Sequence, residues 1–219
     1  MILNLPLCDR SGFPGWLLAG LLLALTACSD GPRFVEVLPP GTTVLAFGDS
    51  VTHGTGAGRG EGYPEQLARL SGWKVINAGI PGDTAAEARS RLTGLLAQHA
   101  PELVIVELGG NDFLRRRRAD QVKADLDFIL RTSLDTGAIT ILVAVPQLSV
   151  LRATVGALDD SPIYAELAEE TGVVLVPDVF SAVLSDDTLR ADRIHPNAVG
   201  YARMADGIAQ RLREVGLLR

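Results

Sequence analysis

The chain has 219 residues, with 20 Lys and Arg against 26 Asp and Glu and a formal net charge of −6. Hydrophobic residues make up 47% and charged residues 21%, the balance of a globular protein, which excludes a disordered or collagen-like chain, and the length suits one domain with a sizeable core. The acidic balance argues against nucleic acid as the main partner, since phosphate binding needs a basic face, and two cysteines cannot staple a disulfide scaffold.

In chain order, the first feature is the apolar run Trp16 to Ala27. It is shorter than the about 20 residues a membrane span needs, but it suits a signal-peptide h-region. The region before it is weakly positive, because Asp9 offsets Arg10. The run ends in Leu25-Thr26-Ala27-Cys28, which resembles the lipobox of bacterial lipoproteins. That resemblance implies a signal peptide over residues 1–27, cleavage before Cys28, and lipid on the Cys28 sulfur. It also implies a place in the bacterial cell envelope. Ser29 after the cysteine points to the outer membrane, with the protein facing the periplasm. Residues 28–41, with Gly31-Pro32 and Pro39-Pro40-Gly41, read as a tether without a core of its own.

From residue 42 to 219 short apolar runs alternate with helical patterns. The runs are Val44 to Phe47, Val75-Ile76, Leu103 to Val106, Ile139 to Val145 and Val173 to Val176. They are continuous and rich in β-branched residues, as expected of parallel strands buried on both faces. A helix opens at Thr84 with Glu87 three residues on, a capping-box pattern, and its apolar face is Ala88, Leu92, Leu95 and Leu96. A second covers about Ala119 to Thr136, with Val122, Leu126 and Ile129 on one face and Gly137 as its C-cap. The last runs from Ala198 to Val215 with Tyr201, Met204, Ile208 and Leu212 inward. The fold class is therefore α/β, a three-layer α/β/α domain around a mainly five-stranded parallel sheet.

Ligands in such sheets sit at the carboxyl ends of the strands. There the sequence places Gly48-Asp49-Ser50 after the first strand and Asn77 to Asp83 after the second. Gly109-Gly110-Asn111-Asp112 follow the third, and Asp192 to Asn197 precede the last helix. A serine hydroxyl needs a base to become a nucleophile. Of the three histidines, His99 ends a helix, His53 lies in a glycine-rich loop, and His195 follows Asp192 by three residues, so that Asp192 could orient its ring. Donors for a developing oxyanion are available in the Ser50 N–H, the Gly82 N–H and the Asn111 amide.

These blocks resemble the SGNH or GDSL hydrolase family, and within it the bacterial thioesterase I, lysophospholipase and arylesterase type. The matching stretches are L-A-F-G-D-S ending at Ser50, N-A-G-I-P-G-D-T from Asn77 to Thr84, V-E-L-G-G-N-D from Val106 to Asp112, and D-R-I-H-P-N from Asp192 to Asn197. The resemblance implies the flavodoxin-like fold of that family and a catalytic triad of Ser50, Asp192 and His195. Its oxyanion hole would be formed by Ser50, Gly82 and Asn111. Gly79 competes with Gly82, which is preferred because Gly82-Asp83-Thr84 is the better match. The implied reaction is hydrolysis of aryl or acyl carboxylic esters, with thioesters and lysophospholipids open, through an acyl-enzyme on Ser50. No cofactor and no metal enter it, and activity falls on the acid side as the histidine base protonates. The stretch Val51-Thr52-His53 departs from the Leu-Ser that relatives often carry, so His53 is a candidate pocket residue.

Other motifs fail. The glycines at 54, 56, 58, 60 and 62 make no G-x-G-x-x-G and no Walker A, and they read as a flexible loop flanking the site. Thr52 stands where the α/β-hydrolase elbow needs glycine. The run Arg115 to Arg118 reads as a solvated loop or, alternatively, as a contact for anionic head groups. Three other functions compete with the serine esterase: a carbohydrate or cell-wall O-acetylesterase, a metal-dependent hydrolase using Asp49, Asp83 and Asp112, and a non-catalytic envelope lipoprotein.

Overall fold

A computed structural model describes residues 32, 34–147 and 158–219. The signal-peptide reading of residues 1–27 and the lipidation of Cys28 lie outside them.

The five expected strands form, as β1 (Thr43–Gly48), β2 (Lys74–Gly79), β3 (Leu103–Glu107), β4 (Ile139–Val143) and β5 (Val174–Val176). All four neighbouring pairs are parallel, and the order is β2-β1-β3-β4-β5. The central strands are buried over almost their whole length, which is why their sequences read as continuous apolar runs rather than alternating ones. The chain winds outward in both directions from β1 and β3, so the crevice between the carboxyl ends of those two strands is where a ligand fits.

The helices are α1 (Ser50–His53), α2 (Tyr63–Ser71), α3 (Ala85–His99), α4 (Gly110–Leu114), α5 (Ala119–Leu134), α6 (Ile163–Thr171), α7 (Val179–Ser185) and α8 (Ala198–Glu214). Helices α3, α5 and α6 pack side by side, as do α2, α8 and α7, giving the two outer layers. The capping box at Thr84 forms: its hydroxyl accepts the Glu87 N–H and the Glu87 carboxylate accepts the Thr84 N–H at 2.8 Å. Tyr201, Met204, Ile208 and Leu212 are fully buried, as their spacing predicts.

Some bounds differ from the sequence reading. Helix α5 stops at Leu134; Gly137, with φ +83°, closes the next turn through its N–H to the Leu134 carbonyl instead of capping the helix. Helices α1, α2, α4, α6 and α7 are short and carry too few periods for the pattern to show. The glycine-rich loop from 54 to 62 is held at several points: the Tyr201 hydroxyl donates to the Thr55 carbonyl at 2.7 Å and Arg69 donates to the Gly60 carbonyl at 3.1 Å.

The segment 34–41, expected to be tether, docks on the domain. The Phe34 N–H donates to the Val215 carbonyl at 2.7 Å and the Leu38 N–H to the Leu217 carbonyl at 3.0 Å, while Phe34 and Leu38 pack on the core. Two large apolar side chains four residues apart have area to bury, and the backbone after α8 offers free carbonyls.

Candidate active site

Strand β1 ends in Gly48 and delivers Asp49 and Ser50 directly into the first turn of α1. Asp49 is the N-cap: its Oδ1 accepts the Val51 N–H at 3.0 Å, which fixes the turn that carries Ser50. Ser50 Oγ lies 3.0 Å from His195 Nε2, and His195 Nδ1 lies 2.8 Å from Asp192 Oδ2. The other Asp192 oxygen accepts the N–H groups of Ile194 at 2.8 Å and His195 at 2.9 Å, so the acid binds both the ring and the backbone of its histidine. Against a desolvation that raises it, these bonds hold the Asp192 carboxyl below its ordinary value. A hydroxyl, an imidazole and a carboxylate in line can move a proton off the serine and stabilise the imidazolium that results.

Of the expected donors, Ser50 and Asn111 line the cleft. The Asn111 Nδ2 group, on α4 after β3, donates to Asp49 Oδ2 and to the Asp83 carbonyl, each at 3.0 Å. Asp83 follows Gly82, so Asn111 ties the β2–α3 loop to the serine turn. Among the described residues no acceptor takes the Gly82 or Ser50 N–H. Gly79 differs: its N–H is taken by Asn77 Oδ1 at 3.0 Å, and a Cβ there would collide with the His53 nitrogen and the Asp49 carbonyl. Gly79 is thus needed for the close packing of β2 on α1. The turn before Asn111 depends on Gly109, at φ +120°, where a Cβ would strike the Tyr164 hydroxyl that donates to the Leu108 carbonyl.

The cleft over Ser50 is lined by Asp49, Val51, Glu107, Gly110, Asn111, Leu114, Phe180, Ile194 and His195. Gly82 does not line it in this conformation. His53, the last residue of α1, is exposed and lines a different concavity with Arg59, Glu65 and Asn77.

The arginine run has partners of its own. Arg115 donates to the Gly82 carbonyl at 2.9 Å and meets Glu87, Arg117 bridges Asp112 and Asp125, and Arg118 pairs with Asp120. Asp112 also caps α3 by accepting the Ala85 N–H at 2.9 Å. Of the three acids weighed as cation ligands, Asp49 is taken by Val51 and Asn111, Asp112 by Ala85 and Arg117, and Asp83 by Arg91 at 2.8 Å. These carboxylates are structural, and the described residues contain no cluster of three or more ligands.

A sequence profile of the GDSL-like lipase/acylhydrolase family matches residues 46–203, a span that takes in all four loops. The chain belongs to this family. As a GDSL-type ester hydrolase it is similar to the thioesterase 1/protease 1/lysophospholipase L1 of Escherichia coli strain K12, at 35% identity over 176 residues, 78% of this chain and 83% of that protein. It is also similar to the arylesterase of Vibrio mimicus, at 32% identity over 177 residues, 77% of this chain and 87% of the relative. The structure resembles that of the psychrotrophic esterase EstA from Pseudoalteromonas sp., with a TM-score of 0.68 and 25% identity over 79% of this chain and 97% of EstA. The family and fold inferred from the four blocks are borne out.

Sequence reasoning passed over Glu107. It stands in the quoted V-E-L-G-G-N-D block, at the end of a wholly apolar run, and an acid in such a strand is a buried acid. That position was the available signal.

Proposed function

We propose that this protein hydrolyses carboxylic esters through an acyl-enzyme on Ser50, with His195 as base and then acid and Asp192 as the residue that orients it. The carrying observation is the unbroken hydrogen-bond chain Ser50 Oγ to His195 Nε2 and His195 Nδ1 to Asp192. Ser50 Oγ attacks the ester carbonyl as its proton passes to His195 Nε2. The negative oxygen of the tetrahedral intermediate takes the N–H group of Ser50, Asn111 shares one of its amide hydrogens with it, and the Gly82 N–H joins them when the β2–α3 loop turns toward the cleft. His195 returns the proton to the departing alcohol, and a water activated by the same nitrogen then releases the acid.

Leu114, Phe180 and Ile194 give the cleft an apolar wall, suited to an aryl or acyl group. Names of relatives span thioester, lysophospholipid and aryl ester chemistry. The test is a panel of p-nitrophenyl esters of graded chain length beside a lysophospholipid and an acyl-CoA. Turnover of the p-nitrophenyl esters is expected, with the chain-length profile reporting the depth of the apolar wall. The EstA relative was obtained inhibited by monoethylphosphonate, and an alkylphosphonate should likewise block this enzyme and add its mass at Ser50. Absence of turnover on every ester would overturn the reading.

The location we propose is the envelope, through lipid on Cys28. Among the described residues no helix is long and apolar enough to cross a membrane. A single acyl chain binds a bilayer only marginally, so a stable anchor needs more than one, as bacterial lipoproteins carry. Cys28→Ser should prevent lipidation and lipoprotein-type cleavage. A chain starting near Ser29 behind an ordinary cleavable signal should leave the membrane pellet and keep esterase activity. Mass analysis of the mature amino terminus decides it: an unmodified Cys28 refutes the anchor and leaves the catalytic reading untouched.

A further inference from the structure

Beneath the serine turn lies a second buried carboxyl that the proposed reaction does not use. Glu107 ends β3 at 1% exposure, and Asp49 beside it is 2% exposed. Glu107 Oε2 accepts the Thr52 hydroxyl at 3.1 Å, and Thr52 Oγ1 is in turn 2.9 Å from the Tyr63 hydroxyl. Oε1 is buried and has no hydrogen-bond partner among the described residues. No lysine or arginine bonds either carboxyl among these residues. The titratable groups around the pair are Tyr63 of α2, Tyr164 of α6, Tyr201 of α8, Asp112 of α4 and His195 before α8. A second anion here would face the Asp49 charge, with Asp112 also near the pair and no lysine or arginine bonded to either carboxyl, and one of its oxygens would have no partner among the described residues.

We infer that Glu107 is a positioning residue that keeps its proton throughout the working range, so that the buried pair holds one negative charge, on Asp49. The division follows from the bonds. Both Asp49 oxygens accept N–H groups, from Val51 and Asn111, as an anion should, whereas Glu107 is met by Thr52 alone and its Oε1 has no partner among the described residues. If Tyr63 donates to Thr52 and Thr52 to Oε2, the proton resides on Oε1. Burial pushes Asp49 up to about 6, with Val51, His195 and Asn111 lowering it, and burial together with the Asp49 charge pushes Glu107 well above the carboxylate range. The lone charge on Asp49 caps the turn of Ser50 and aims the Asn111 amide. Ionisation of Glu107 at alkaline pH would set a like charge against that anion and disturb both.

This rests on the roles proposed for Ser50 and Asn111, but its first two readouts need no catalysis. A carboxyl whose pKa is raised by folding favours the folded state at low pH. That stability declines as pH rises from the ordinary value of 4.5 through the folded value. In Glu107→Gln the amide is neutral and keeps a donor group and a carbonyl acceptor, as a protonated acid does, and has no proton to lose. With the full chain in detergent, melting temperature between about pH 5 and pH 9 should fall less for Glu107→Gln than for the wild type. The infrared difference between the two at neutral pH should show loss of a protonated carboxyl C=O band. For catalysis, Glu107→Leu should lower kcat by about 10²-fold with KM little changed, the scale of a small misplacement of reacting groups. Glu107→Gln should restore most of that loss and move the alkaline limb of the kcat profile upward. Loss of a carboxylate band, parallel melting profiles, or a folded Glu107→Gln as impaired as Glu107→Leu would each overturn the inference. An active Ser50→Ala would overturn the proposed reaction while leaving the infrared and melting results to decide the state of Glu107.

Discussion

Ser50→Ala is expected to lower kcat for ester hydrolysis by about 10⁴-fold or more, leaving only what substrate binding and the oxyanion donors supply. The fold should be unaffected. The Ser50 hydroxyl bonds only to His195 among the described residues, whereas the cap of α1 belongs to Asp49 and the Val51 N–H. Melting temperature should therefore shift by no more than a surface substitution causes, about 0.5 kcal/mol in stability. A mutant as active as the wild type on p-nitrophenyl esters would end the nucleophile assignment. A mutant that is inactive but also unfolded is not expected, and circular dichroism checks for it.

The second large effect is at Asn111, and it has two components. Asn111→Ala removes an oxyanion donor, which typically costs about 10²–10³ in kcat. The same amide is the donor to Asp49 Oδ2 and to the Asp83 carbonyl. Its removal leaves a buried carboxylate oxygen unsatisfied, a cost of about 1–3 kcal/mol. The variant should thus be both slower and less stable, with kcat falling far more than KM rises. A loss confined to KM would mean that Asn111 binds substrate and does not stabilise the transition state.

The contrast between these two residues shows what the sequence makes legible. Strands buried on both faces leave unbroken apolar runs, so β1 and β3 can be read and with them the places of Ser50 and Asn111. Thr84 and Glu87 form a local device, complete within four residues, and it forms as read. The two hydrogen bonds of Asn111 join three segments far apart in the chain and have no local signature. Arg115 to Arg118 show the same limit from the other side. As a string they look like a solvated run, yet Arg117 is engaged by Asp112 and Asp125, and Arg115 holds the Gly82 carbonyl. Helix α2 is absent from the sequence reading, although Pro64 sits in its first turn, where proline is favoured.

The docking of Phe34 and Leu38 against the end of α8 sets how the enzyme would stand on a bilayer. With lipid on Cys28, residues 29–33 lie between the anchor and the Phe34 bond to the domain, a chain length of about 20 Å at most. Phe34 is held at Val215, whereas His195 sits just before the opposite end of α8, which begins at Ala198. Those 17 residues put about 25 Å between the attachment point and the site. The foot of the molecule would face the lipid and the mouth of the cleft would face away from it. A substrate would arrive from the aqueous side, and an ester embedded in the anchoring bilayer would be reached only if the domain tipped over.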